Sequence, residues 1–123
     1  MRRWLLVAAL VLALPACTTD GADSLAFDLT EFDVSGPTGL DAGGSTINVT
    51  NSGEFPHTLV IAGQDGHVVA ATHMIQPGES VAIELDLQPG NYQFSCRIVG
   101  ERPDGSIVDH FEEGMVHTVS VRS

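Results

Sequence analysis

Cys96, His110 and Met115 follow one another near the C-terminal end in NYQFSCRIVGERPDGSIVDHFEEGMVHTVSV, and a fourth donor, His57, opens an apolar run upstream in NSGEFPHTLVI. Thiolate and thioether are soft donors suited to Cu(I), and imidazole suits both oxidation states of copper. One thiol, two imidazoles and a thioether therefore suggest a single copper ion, with the methionine as a weak axial ligand. Any one of these residues alone is more often packing than ligation. The ordered set is harder to reach by accident: a His opening one strand, then a Cys ending another, a loop His and a Gly114-Met115 pair.

The elements that must position these donors have period two. Val81, Ile83, Leu85 and Leu87 alternate with Ala82, Glu84, Asp86 and Gln88, and Ile47 and Val49 alternate with Thr46, Asn48 and Thr50, as half-buried strands do. Gly43-Gly44, Asn51-Ser52-Gly53, Gln64-Asp65-Gly66, Pro77-Gly78 and Pro89-Gly90-Asn91 supply turn signals between such runs, and no segment shows a helical repeat. The pattern predicts an all-β domain, a sandwich of short antiparallel strands. Leu25, Phe27 and Leu29 share one phase while Phe32 and Val34 share the other, which predicts a bulge or kink near Thr30 and Glu31.

Parity also places the donors, because residues two apart on a strand share a face. His57 is in phase with Leu59 and Ile61, Cys96 with Tyr92 and Phe94, and Met115 with Val119 and Val121. Three donors thus point coreward from strand ends and can converge at one end of the sandwich. His110 falls in the following loop and would close the site from the solvent side. His67 reads as a solvated turn residue, whereas His73, next to Met74, and His117, on the face of Met115, remain alternative ligands.

Three segments carry a resemblance to the cupredoxins, the plastocyanin and azurin family of small blue copper proteins. They are Asn51-x-Gly53 leading to His57, the strand end Tyr92-x-Phe94-x-Cys96, and His110-x4-Met115 with Gly114 before the methionine. The resemblance covers roughly residues 25 to 122 and implies an antiparallel Greek-key β-sandwich. It also implies one type 1 copper held by His57, Cys96, His110 and Met115. Such a protein would carry single electrons by Cu(II)/Cu(I) cycling and act with redox partner proteins. One feature departs from the pattern: thirteen residues separate Cys96 from His110, where the family has only a few. A ligand set without an open position has nowhere to activate a substrate, which favours a carrier over an enzyme. The imidazole edge of His110 is the expected exit for the electron. Ile98, Val99, Ile107, Val108 and Phe111 would either surround it as an apolar docking patch or fold inward to order the long loop.

A chain of 123 residues holds one domain. Arg2 and Arg3 followed by the apolar run Trp4 to Leu14 read as an export signal, too short to cross a bilayer as a helix. Leu14-Pro15-Ala16-Cys17 looks like a bacterial lipobox, which divides the chain into a signal peptide over 1–16, a tether over 17–24 anchored by lipid on Cys17, and a domain over 25–123. Cys96 is then left without a disulfide partner in an exported protein, and metal coordination would withhold it from oxidation. The tether residues Thr18 to Ser24 reach at most about 25 Å, so the domain should stay near the extracytoplasmic face of the cell membrane and meet membrane-associated partners. A monomer is expected. After processing, Arg97, Arg102 and Arg122 stand against sixteen carboxylates and there is no lysine, which argues against nucleic acid as a partner.

Two readings stand beside the electron carrier. An exported copper-binding protein for storage, delivery or resistance would exchange its metal, with His73 and Met74 as additional donors. A metal-free interaction domain would bind no stoichiometric copper.

Overall fold

The computed structural model describes residues 24–123. The expected signal peptide, the lipobox and the lipidation site Cys17 lie outside the described residues. Among those described there is no helix, and none long and apolar enough to cross a membrane.

Among the described residues, eleven strands form two facing sheets and a separate hairpin. The first sheet runs β2 (Asp33–Ser35), β1 (Ser24–Thr30), β4 (Gly43–Asn51), β7 (Ser80–Leu87). The second runs β3 (Gly39–Asp41), β11 (Val116–Arg122), β8 (Gly90–Ser95), β5 (Val60–Gly63), β6 (Val68–Ala71). β9 (Val99–Glu101) and β10 (Ile107–Asp109) pair only with each other. The chain crosses repeatedly between the sheets, giving the expected all-β Greek-key sandwich. The strands are not uniformly antiparallel, however. β1 lies parallel to β4, and β3 parallel to β11, because each of these pairs is joined by chain that returns through another strand instead of a hairpin.

Alternation in the sequence becomes the two walls of one core. Phe27, Leu29, Val34, Ile47, Val49, Leu85 and Leu87 face inward from the first sheet, and Leu40, Ile61, Phe94, Val119 and Val121 from the second. Phe27 and Phe94 meet across the interface with ring centroids 4.9 Å apart. Truncating either to alanine would open a cavity costing about 3–5 kcal/mol.

The phase change after Leu29 is a reversal and not a bulge. Glu31 and Phe32 form a two-residue turn between β1 and β2, with Thr30 opposite Asp33 and Leu29 opposite Val34. Cross-strand partners share a face, so Leu29 and Val34 both enter the core although their parities differ. The turn also carries Glu31 and Phe32 to the end of the sandwich where the donors gather.

Candidate metal centre

Register explains why the donors meet. β8 runs between β5 and β11 and is antiparallel to both, so its last residue, Ser95, lies opposite Val60 at the start of β5 and Val116 at the start of β11. Residues just before β5, just after β8 and just before β11 must therefore come together at one edge. These are the segments that hold His57, Cys96 and Met115. The pairing continues one step beyond the strands, where Cys96 N–H donates to Met115 O at 3.1 Å. His57 is fixed by a reciprocal backbone pair with Ile75, at 3.1 and 2.7 Å.

His110 reaches the same place by a different route. The thirteen residues after Cys96 form the β9–β10 hairpin, closed at Arg102–Ser106 with the Asp104 carboxylate accepting from Ser106 N and Oγ. Asp109 then caps a single turn by accepting from the backbone N–H of Phe111 and Glu112. Gly114, at φ 111°, ends that turn in a conformation that side chains rarely adopt. Met115 N–H closes it onto His110 O at 3.0 Å. His110 is consequently not an open-loop residue; it is buried, with Phe32 edge-on at 5.0 Å between centroids.

The donor atoms converge. His57 Nδ1 lies 3.2 Å from His110 Nδ1, and Cys96 Sγ lies 4.0 Å from His57 Nδ1 and 3.6 Å from His110 Nδ1. A single ion bound at ordinary lengths, about 2.0 Å to nitrogen and 2.3 Å to sulfur, and lying in the plane of three donors, would hold them about 3.5 to 3.7 Å apart. The observed separations bracket that range, so the donor set fits one transition-metal ion. Met115 is wholly buried and hydrogen-bonded through its backbone to both Cys96 and His110. Cys96 is a free, buried cysteine.

The other three histidines, the alternative ligands His73 and His117 and the turn residue His67, have partners of their own. His117 Nε2 donates to Pro37 O at 2.9 Å, His67 pairs with Asp65, and His73 lies 3.4 Å from Glu79. Burial, and after it the neighbouring His57, holds His110 below the ordinary imidazole range against the opposing pull of Asp109 and Glu31. Its neutral form, the one that binds metal, is therefore favoured near pH 7.

Sequence reasoning missed Glu31. Its Oε1 accepts from His57 Nε2 at 2.9 Å and from the backbone N–H of Glu54 and Phe55 at 2.8 and 3.0 Å. Desolvation alone would raise this carboxyl, but the bonds from Phe55, His57 and Glu54 outweigh it and leave it below its usual range. The phase change at Thr30–Glu31 marked the turn, but no sequence signal tied a carboxylate there to a histidine twenty-six positions on.

Beyond His110 lies a cavity of about 300 Å³ lined by Phe32, Phe55, Pro56, Met74, Ile98 and Val108 among others. The hairpin divides between the two roles considered for it. Ile98 packs against the core and Phe111 lies under the Arg97 guanidinium, 3.9 Å from its ring centroid, whereas Val99 and Ile107 are 60% and 63% exposed.

No family model and no curated protein sequence matches the chain. Solved structures do. The dithionite-reduced auracyanin of the photosynthetic bacterium Roseiflexus castenholzii superposes with a TM-score of 0.62 at 20% identity, over 83% of this chain and 98% of that one. Auracyanin B gives 0.63 at 18% identity, over 83% and 90%. A purple cupredoxin from Nitrosopumilus maritimus gives 0.51 at 20% identity, over 79% and 98%. On these superpositions the fold of this chain is that of the cupredoxins.

Proposed function

We propose that the protein is a type 1 copper protein that carries single electrons, in which His57, Cys96 and His110 would hold one copper and Met115 would supply a weak fourth donor. The observation that carries this reading is the meeting of His57 Nδ1, Cys96 Sγ and His110 Nδ1, all from buried residues, within 4.8 Å of one another. Copper supplies the one-electron chemistry there by passing between its +2 and +1 states. The chain keeps the donors in place. Backbone hydrogen bonds hold each donor, Cys96 to Met115, His57 to Ile75 and His110 to Ile98 and Met115, so little can move when the charge changes, and small reorganisation favours fast transfer. His57, Cys96 and Met115 are fully buried and His110 is 6% exposed, which makes its imidazole the donor nearest solvent and the natural exit for the electron. The cavity beside it and the exposed Phe55, Val99 and Ile107 offer an apolar surface for brief docking of a redox partner protein.

The test is the visible spectrum of the purified protein with Cu(II). An intense thiolate-to-copper band that bleaches reversibly on reduction supports the carrier. Absence of stoichiometric copper would leave only an interaction domain of the same fold. Storage or delivery draws on Met74, which lines the same cavity half-exposed. Rapid loss of Cu(I) to a chelator would favour that reading instead.

Met115→Leu should retain copper and raise the reduction potential, because loss of a weak donor destabilises Cu(II) more than Cu(I). His117→Ala, which removes the bond to Pro37 and the edge contact with Phe27 but no donor, should leave the potential nearly unchanged. A reversal of the two effects, read by redox titration, would remove Met115 from the ligand set.

We further propose that the carrier is exported and anchored by lipid on Cys17. Diacylation gives the two-chain attachment that a single acyl chain cannot, and an acidic body adds no attraction to anionic lipid. The wild-type chain should therefore fractionate with membranes and resist salt extraction, and Cys17→Ser should release or mislocalise it with its copper spectrum intact. Wild-type protein in the soluble exported fraction would defeat the anchor.

A further inference from the structure

The two side chains of the β1–β2 turn touch the two imidazoles of the site, Phe32 on His110 and Glu31 on His57. Phe32 is an ordinary apolar cover. Glu31 is not, because a glutamate on a surface turn normally keeps its rotamer freedom, and fixing it costs up to about 2 kcal/mol. Here three donors converge on one oxygen, His57 Nε2 and the backbone N–H of Glu54 and Phe55. The opposing segment is also shaped around that oxygen. A Cβ at Gly53 would collide with the Glu31 carboxylate, to which its three nearest heavy atoms all belong. Glycine at 53 is thus explained by the carboxylate and not by a turn conformation.

The geometry points to Glu31 as the positioning residue of His57: its carboxylate fixes the Nε2–H tautomer, leaves Nδ1 bare toward Cys96 and His110, and sets a negative charge behind the ligand that favours the oxidised metal. The first half follows from donor arithmetic. An ionised carboxylate only accepts, so the shared proton sits on Nε2, and a neutral imidazole has no second one. Nδ1 then carries a lone pair, as a metal donor must. An outer partner of this kind orients the ring and raises its basicity. The second half rests on the copper reading proposed above. A unit charge acting across one imidazole ring at an effective protein dielectric, discounted for the partial exposure of Glu31, should shift the Cu(II)/Cu(I) ratio at fixed potential by on the order of tenfold.

Glu31→Gln, Glu31→Ala and Gly53→Ala separate these contributions. In the purified metal-free protein, at a pH where imidazole is neutral, ring-nitrogen NMR shifts report the tautomer of His57. The wild type should show Nε2–H, and Glu31→Gln should keep it because the amide oxygen still accepts. Glu31→Ala should lose the preference, and Gly53→Ala should too, because it displaces the carboxylate without removing it. A wild-type proton on Nδ1, or an unchanged tautomer in Glu31→Ala, would overturn the positioning role. With copper, Glu31→Gln should raise the reduction potential by about 60 mV, the one-electron equivalent of tenfold, and Glu31→Ala should bind copper about 10–100-fold more weakly. A wild-type potential in Glu31→Gln would overturn the charge effect. If Glu31→Ala fails to fold, Gly53→Ala and Glu31→Gln decide between the outcomes. A wild-type protein that binds no copper would refute the carrier reading while leaving the metal-free tautomer result to stand on its own.

Discussion

Cys96→Ser should abolish the visible band of the copper-loaded protein and weaken copper binding by more than the roughly 10–100-fold that loss of an outer-shell partner costs. The band needs a thiolate donating charge to Cu(II), and a serine hydroxyl neither ionises near neutral pH nor supplies a soft donor. The substitution is a clean probe because it leaves the scaffold alone. Cys96 is held by its backbone, N–H to Met115 O, and among the described residues its sulfur meets Thr58 Oγ1, at 3.8 Å, beside the two histidines. A hydroxyl in that place keeps a partner within reach and changes volume little, so the melting temperature of the metal-free protein should stay near that of the wild type. Absorption spectra and copper titrations of both proteins check the result. A full-strength band in the serine variant would remove Cys96 from the site.

How far the sequence foretold this arrangement depends on which interactions are local. Parity is local, and it correctly turned His57, Cys96 and Met115 inward with Leu59, Phe94 and Val119. It failed at Thr30–Glu31, because a bulge and a tight reversal leave the same trace in a one-dimensional pattern. Only the pairing of Leu29 with Val34 tells them apart. Strand direction was likewise beyond reach: the parallel contacts of β1 with β4 and β3 with β11 are set by which edge each returning chain finds vacant. The segment from Cys96 to His110 contains its own turn signal, Pro103-Asp104-Gly105, flanked by short apolar stretches, and it became a hairpin. That the hairpin would shelter His110 instead of leaving it at the surface follows from tertiary ties. Arg97 over Phe111 and Arg102 near Glu113 at 3.8 Å lash it to the turn that carries the ligand. The carboxylate of Glu31 was the least legible part, since a hydrogen bond between a turn and a strand start has no period.

Asn51→Ala should be the most damaging polar substitution among the described residues outside the donor set. The Asn51 side chain is wholly buried at the end of β4, where Nδ2 donates to Phe55 O at 2.8 Å and Ile75 O at 2.9 Å while Oδ1 accepts from Gly53 N at 2.9 Å. These bonds staple the segment from Gly53 to Phe55 to the end of β4 and to Ile75, the backbone partner of His57. Truncation would leave two carbonyls and an amide without that partner. Each fully buried orphan costs about 1–3 kcal/mol, but the bonds to Phe55 O and Gly53 N are only part-buried and Ile75 O keeps the N–H of His57. The net loss should therefore be about 2–3 kcal/mol, a fall of roughly 10–20 °C in Tm for a domain of this size. Thr50→Ala, one residue away on the outward face and bonded only to Ser80 Oγ among the contacts described, should cost less than about 1 kcal/mol. The loss should also reach the metal, because the backbone N–H groups of Glu54 and Phe55 that hold Glu31 belong to the loosened segment. Thermal unfolding of the metal-free variants measures the first effect and copper titration the second. Equal melting temperatures for the two alanine variants would mean that the Asn51 staple does not hold this end of the sandwich, and normal copper affinity in Asn51→Ala would mean that the strand pairings alone suffice to place His57.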